Sequence, residues 1–313
     1  MHPCGECFEV VDPAEVDAVH AHRSGSPRHT LKCMGAGGGA IGSTLVWRPD
    51  AAGTTRAFTT VDWCDPGQGG VAVADSFRLD GGRVRGLAHH RQRFLASAAI
   101  NGPGELERAT AFWEDALAAL RTIVAADPEH PALFPRLERR ERGEFRLLVR
   151  PSPPIVTGDG LAAITVATAT HDPRRVPLVK GPDLERLAAL RTQAQLAGAD
   201  EAVIVDARGR LVEGAYSSLL IARDGRLAVI GQPAPRIPSV TERLVRDAAR
   251  THGLAVDEAR PTVAELARTS LWVLSALHGA RAVERWVDGP VLVRDGERDA
   301  WLRHTLANAA TAL

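Results

Sequence analysis

Lysine is nearly missing from this chain. Its 313 residues carry 38 basic side chains, and only Lys32 and Lys180 among them are lysine. Lysine is normally one of the commonest residues, so arginine has taken over the surface cation roles. Arginine keeps its proton near neutral pH, whereas a desolvated lysine amine can lose it and act as a nucleophile or base. A lysine retained in such a chain is a candidate for chemistry closed to arginine. Net charge is missing too. Thirty-eight acidic residues balance the 38 basic ones and no block of one sign stands out, which argues against a nucleic-acid partner or an anionic membrane surface. No apolar run reaches the length of a membrane span, and the N-terminus lacks the basic-then-apolar layout of a signal peptide. A cytoplasmic protein without a membrane partner is expected. Cysteine is scarce: Cys4, Cys7, Cys33 and Cys64 are too few for a disulfide scaffold of this size. With nearby histidines they raise the alternative of a structural zinc site, but their spacing fits no standard ligand pattern, and no metal is expected.

What is present is a chain long enough for two domains or one large one, with 45% apolar residues to fill a core. Residues 1–70 are poor in periodicity over their first part, end that part in a glycine-rich run at 35–40, and remain an unassigned segment. Two β-rich stretches follow at 43–48 and 56–63. Residues 73–79 and 83–85 flank Asp80-Gly81-Gly82, a hairpin turn sequence. Apolar spacing predicts helices over 89–99 and 105–126, and a strand over 145–149. The proline-rich run 150–154 reads as a linker, which divides the chain into a small α/β lobe at 71–150 and a larger lobe at 151–313. In the larger lobe strands are expected at 164–169, 202–205, 211–213, 219–222, 227–230, 272–277, 282–287 and 291–293. Helices are expected at 184–197 and 240–252, and Asp224-Gly225 is a type I′ turn sequence.

Lys180 follows the apolar, strand-like Val176-Pro177-Leu178-Val179 and precedes Gly181-Pro182-Asp183, where a helix begins. Such a junction points a side chain into a cleft. Glu213 ends a strand in the run Leu-Val-Glu-Gly, where an acid can meet a cation closely. Ser239-Val240-Thr241-Glu242 has the form of a capping box, with Ser239 capping a helix and Glu242 reaching back. The amides of Val240 and Thr241 would then be free donors at the positive end of a helix dipole, a setting that suits phosphate. Arg93 could supply a matching guanidinium. Lysine, acid, phosphate-ready helix end and arginine are together what pyridoxal 5′-phosphate requires.

At this point the chain resembles the fold-type-IV pyridoxal-phosphate enzymes, the class IV aminotransferases together with aminodeoxychorismate lyase. The resemblance covers roughly residues 72–290. It rests on Ser76-Phe-Arg-Leu-Asp-Gly-Gly, His90-x-x-Arg93-Phe-x-x-Ser97-Ala, Lys180, Ala199–Asp206, Val212-Glu213-Gly214, Pro238-Ser-Val-Thr241, Glu265-Leu266 and the Leu274–Leu277 segment before Val287-Asp-Gly289. Each is weak alone; together they keep the family's order and spacing. The resemblance implies an α+β fold with a small N-terminal lobe and a larger pseudo-barrel lobe, a homodimer, and a small-molecule substrate. It implies that Lys180 carries the cofactor as an aldimine and shuttles the α-proton, that Glu213 pairs with the pyridine nitrogen, and that Arg93, Val240 and Thr241 hold the phosphate.

The chain departs from the family in places. Ser217-Ser218-Leu219-Leu220 stands where members often have Ser-Asn-Leu-Phe. Glu185 replaces the tyrosine that branched-chain members carry after the lysine, which argues against branched-chain specificity. Leu277 occupies the place of a phosphate-contacting threonine, as in lyase-like members. Tyr216, the single tyrosine, and Ser275 are candidate substrate contacts; His89 and His90 read as helix-start residues. Transamination of an amino acid is the favoured activity. Release of pyruvate from an amino-enolpyruvyl substrate is the alternative, and a non-catalytic binding protein the third reading.

Overall fold

The computed structural model describes residues 41–49, 56–60, 69–127, 132–155 and 160–313. In chain order its elements are β1 (Thr44–Pro49), β2 (Arg56–Thr60), β3 (Val71–Ser76), β4 (Leu79–Asp80), β5 (Arg83–Arg85), α1 (Leu87–Ala99), α2 (Glu105–Ala126), β6 (Arg136–Arg140) and β7 (Phe145–Leu148). Then come β8 (Ala163–Thr168), α3 (Leu184–Leu196), β9 (Glu201–Val205), β10 (Leu211–Gly214), β11 (Ser218–Arg223), β12 (Arg226–Ile230) and α4 (Val240–Thr251). The chain closes with β13 (Val256–Ala259), β14 (Ser270–Ser275), β15 (Gly279–Val287), α5 (Gly296–Asn308) and β16 (Ala310–Ala312).

Two sheets carry the fold. The first is antiparallel in the order β2-β1-β7-β6-β3. Helix α2 covers it because Ala109, Phe112, Trp113, Ala116, Leu117, Leu120 and Ile123 recur at helical spacing and are all buried. Their core is aromatic: Phe112 stacks on Phe145 at 5.0 Å between centroids, with Trp47 and Phe94 at its edges. The second sheet is the larger, mixed and eight-stranded, in the order β10-β9-β8-β15-β14-β11-β12-β13. It is the curled half-barrel of the expected α+β fold, with a mainly aliphatic core of valine, leucine, isoleucine and alanine to which Trp286 is added. Its β11–β12 hairpin turns at Asp224 and Gly225, whose φ angles of 52° and 76° are the two positive values a type I′ turn needs.

Several expectations need correction. The stretch 73–79 is not one strand: β3 pairs in the first sheet, while β4 joins β5 and β16 in a separate three-stranded sheet. Strand β6 was unforeseen because its sequence, Arg-Leu-Glu-Arg-Arg, is charged, yet Leu137, Glu138 and Arg139 are all buried. Elements β13, α5 and β16 were also unforeseen, and 291–293 is not a strand. Strands β1 and β2, from the segment left unassigned, extend the first sheet. The four cysteines and residues 61–63 lie outside the described residues.

Candidate active site

The segment before Lys180 is a run of bends and turns, not the strand its apolar residues suggested. It is fixed by its contacts. Asp183 accepts the amides of Arg175 and Val176 at 2.9 and 2.8 Å. The Lys180 carbonyl accepts the amide of Ala74 at 2.6 Å, which docks the segment on β3. Gly181 makes this docking possible: its φ is +148°, and a Cβ there would meet the Val73 backbone at 2.9 Å. Lys180 is partly exposed on a cavity wall, yet its ammonium sits deep among protein atoms. Burial, and then the charge of Arg93, pull its pKa down to about 8.

Glu213 lies near the end of β10, buried, and lines the same cavity. Burial pushes its carboxyl up to about 7 although Arg174 faces it. Arg174 donates to Glu213 Oε1 at 2.5 Å and is held by Asp172 through two further bonds and by the Pro235 carbonyl. No other hydrogen bond reaches the Glu213 carboxylate among the described residues.

Arg93 projects from α1 and is clamped by Asp75 of β3, its Nε and Nη2 donating to the two carboxylate oxygens at 2.8 Å each. The fully buried Asp75 also meets His90 Nδ1 at 2.7 Å. Burial alone would raise the Asp75 pKa, but Arg93 and His90 outweigh it and hold the carboxyl far below the usual range. His90 is thus a buried partner in a charge network, not merely a residue of the helix start. Arg93 Nη1 donates to the Pro238 carbonyl at 3.0 Å, which brings α1 to the start of α4. There Ser239 caps the helix, its Oγ accepting the Glu242 amide at 3.2 Å. The reciprocal half of the capping box is absent, because the Glu242 carboxylate pairs with Arg236 at 2.7 and 2.9 Å. The amides of Val240 and Thr241 are at the first turn, where no intrahelical acceptor exists.

One cavity of about 500 Å³ is lined by Lys180, Glu213, Arg93, Val240, Thr241, Tyr216 and Ser275. Every site residue expected from the sequence is therefore at one place. Glu185 and Leu277 line it as well. Sequence reasoning missed Asp75, Arg174, Arg136, Arg150, Arg191, His278 and Arg281. A charged residue inside the apolar run Val-Ala-Val-Ala-Asp was a visible signal for Asp75; the arginines carried none in a chain that uses arginine everywhere.

Residues 72–286 match the family model of the class IV amino-transferases. The chain belongs to the class IV aminotransferase family. By family its cofactor is pyridoxal 5′-phosphate. A protein of Methanocaldococcus jannaschii assigned by name to the branched-chain-amino-acid aminotransferases is 32% identical over 122 residues, which are 37% of this chain and 41% of that protein. The match thus spans about two fifths of that relative's length. The fold is shared with the fold IV transaminase CpuTA1 of Curtobacterium pusillum, at TM-score 0.68 and 21% identity over 85% of this chain and 98% of that one. It is also shared with the pyridoxal-phosphate-bound form of a hypothetical aminotransferase from Mycobacterium tuberculosis, at TM-score 0.64 and 20% identity over 85% and 98% of the two chains. A branched-chain amino acid aminotransferase from T.th., bound to pyridoxamine 5′-phosphate, aligns at TM-score 0.65 and 16% identity over 86% and 94%.

The residues present fit that cofactor. Two first-turn amides and a clamped guanidinium suit a phosphate. A buried acid with one oxygen free of hydrogen bonds suits a ring N–H, and the lysine amine suits an aldehyde. Among the described residues no helix is long and apolar enough to cross a membrane.

Proposed function

We propose that the protein transfers the amino group of an amino acid to a keto acid, with Lys180 as the residue that binds the cofactor's aldehyde and moves the α-proton. The observation that carries this reading is a lysine whose ammonium lies deep in the protein with a depressed pKa, sharing one cavity with Glu213 and the start of α4. Bound there, the cofactor supplies a carbonyl that holds the amino group and a ring that takes up the electrons released at the α-carbon. With a pKa of about 8, Lys180 is a free amine in an appreciable fraction near neutral pH. Its Nζ can attack a carbonyl and later accept and return a proton. Glu213 would keep a proton on the ring nitrogen, and Arg174 opposes the burial that favours the neutral carboxyl. Arg93 and the amides of Val240 and Thr241 hold the phosphate, while Asp75 fixes the guanidinium in place. Tyr216 and Ser275 stand on the substrate side. In this reading 71–150 and 151–313 are the small and cofactor-binding lobes, with β1 and β2 added to the small one, and the protein acts as a cytoplasmic homodimer.

The test is reduction of the loaded protein with borohydride followed by peptide mapping. The reduced cofactor is expected on Lys180; finding it on Lys32, or no cofactor after reconstitution, overturns the assignment. An amino donor should then convert the visible band to the near-ultraviolet band of the pyridoxamine form, and a keto acid should reverse it. The lyase reading keeps a specific observation, Leu277 and Glu185 at the cavity wall. It requires steady pyruvate release from an amino-enolpyruvyl acid with no dependence on a keto acid.

A further inference from the structure

Asp183 breaks two local rules at once. It is the N-cap residue of α3, where an aspartate ordinarily accepts an amide of its own first turn, yet its side chain makes no such bond. Its Oδ2 reaches back instead to the amides of Arg175 and Val176, eight and seven residues earlier. Its Oδ1 is buried and accepts no hydrogen bond among the described residues; Arg186 Nη1 is 3.7 Å away, beyond hydrogen-bond distance. A cap forgone and a buried oxygen left unsatisfied both weaken a fold. Departures of this kind collect where a geometry is kept for function.

The two bonds close a loop with a working residue near each end. Arg175 follows Arg174, whose Nη1 donates to Glu213, and Lys180 comes three residues before Asp183. The loop is all bends and turns. Between Arg175 and Asp183 its one internal backbone hydrogen bond among the described residues runs from the Val179 amide to the Val176 carbonyl. Glu213 faces the charges of Arg174, Arg236 and Lys180, and Lys180 faces those of Arg93, Asp75, Glu213 and Arg136. Arg236 is tied to Glu242, Arg93 to Asp75 and Arg136 to Glu138, so these are set by other elements. Arg174 and Lys180 ride on the loop. Asp172 and the Pro235 carbonyl hold the Arg174 guanidinium, and the Ala74 amide holds the Lys180 carbonyl. Among the described residues it is the Asp183 side chain that joins the two stretches. We propose that Asp183 is a positioning residue that couples them, setting Arg174 against Glu213 and Lys180 in the cavity wall at the same time. The inference rests on the aminotransferase reading for what Lys180 and Glu213 do, though not for the contact itself. It requires one oxygen that accepts two amides, not a charge, and the oxygen of a side-chain amide has the same two lone pairs.

The experiment is carbon-13 NMR of the apoprotein. Reductive methylation with labelled formaldehyde marks the two lysines, which Lys32→Arg tells apart, and the labelled carboxyl of Glu213 is assigned by its loss in Glu213→Gln. In Asp183→Ala both titrations should move up. The Lys180 amine gains water and regains its ordinary basicity, so its free fraction near neutral pH falls about tenfold. Glu213 loses the close hold of Arg174, the contact that opposes its burial. Asp183→Asn should stay near the wild-type protein in both. A lower unfolding temperature with both titrations unmoved, movement of one group without the other, or an asparagine variant as displaced as the alanine variant overturns the coupling. Should Asp183→Ala fail to fold, hydrogen exchange of the wild-type apoprotein decides. The amides of Arg175 and Val176, both exposed residues, should exchange slowly, and exchange at the rate of an unstructured chain overturns the proposal. Titrations that move together in a protein that takes up no cofactor on Lys180 keep the positioning and remove the reaction. Borohydride labelling of Lys180 with unmoved titrations keeps the reaction and removes the positioning.

Discussion

The two ends of the cavity are built from the same residue type and differ in one respect. Around Lys180, each arginine is answered: Arg93 by Asp75, Arg174 by Asp172 and Glu213. Elsewhere on the wall Arg150, Arg191 and Arg281 have no carboxylate within ion-pair distance among the described residues. An arginine held by a buried acid is a fixed part, pre-set before any ligand arrives. An arginine without one is poised for a ligand that brings its own charge. Arginine content therefore tells nothing about function here, whereas pairing does.

The largest effect should come from the paired end. Lys180→Arg keeps the positive charge, yet a guanidinium cannot capture an aldehyde; the visible absorption band and all turnover should disappear, and any residual band would point to Lys32. Capture by the wild-type apoprotein should follow the titration of this amine. Its pKa of about 8 is below that of a free lysine, so the reactive fraction grows as pH rises. The rate at which the visible band forms should climb roughly tenfold per pH unit below that value and level off above it. A flat profile from about pH 6 to 9 would place the reactive amine elsewhere.

Next in size is the Glu213–Arg174 pair. Glu213→Gln should leave folding and cofactor capture intact but lower kcat by about a hundredfold, ~2.7 kcal/mol, because the ring nitrogen loses its anion. Arg174→Gln should act more mildly and in a pH-dependent way. Without the guanidinium the Glu213 pKa rises further above about 7, so the carboxyl is neutral over a wider range on the acid side. The acid limb of the kcat profile should move to higher pH, with activity recovered as pH rises. A uniform loss at every pH would mean that Arg174 serves the substrate instead.

How much of this was legible depended on whether a residue's role is local. Lys180, Glu213, Val240 and Thr241, which line one cavity, stand out in the sequence because each is at a chain feature with its own signature: one of two lysines, an acid before glycine, a cap before a helix. Ser239 does cap α4, but Glu242 was misjudged because Arg236 is a stronger partner than a backbone amide. Lys180 was expected after a strand and lies in a turn, since Pro177 and the Asp183 side chain occupy the amide positions a strand would use. The clamp of Asp75 on Arg93 joins residues 18 apart on different elements, and no periodicity reports such a contact. Strand β6 shows the same limit in part: Glu138 pairs with Arg136 and Arg140 of its own strand, but buried Arg139 is neutralised by Glu105 of α2, a partner invisible along the chain.

Arg93→Ala should separate the clamp from the chemistry. It removes the proposed phosphate donor and leaves the buried Asp75 carboxylate with His90 as its one hydrogen-bond partner among the described residues. Unpairing a buried ion pair costs about 3–5 kcal/mol, so chemical denaturation of the apoprotein should show a loss of that order, together with a raised Kd for pyridoxal phosphate. Excess cofactor should restore most of kcat, because the reacting carbon is served by Lys180. Activity that stays lost at saturating cofactor would move Arg93 to the substrate.

The smallest effect is expected at Ser275, where the two ends meet. Its Oγ accepts the His278 amide at 3.2 Å, so the hydroxyl holds the turn that carries His278 into the cavity wall. Removing a hydrogen bond of this kind typically costs about 1 kcal/mol, and the turn keeps its other support in the β14–β15 pairing of Ser275 with Gly279. Ser275→Ala should therefore loosen the placement of His278 without touching Lys180 or Glu213. The expected result is a KM for the amino acid raised about fivefold, the factor that ~1 kcal/mol implies, with kcat nearly unchanged. Steady-state kinetics at saturating cofactor separates the two constants. A fall in kcat of about a hundredfold would instead put the Ser275 hydroxyl in contact with the reacting atoms. It would then belong to the paired end, and the line between fixed frame and ligand-ready cations would run on the far side of the turn.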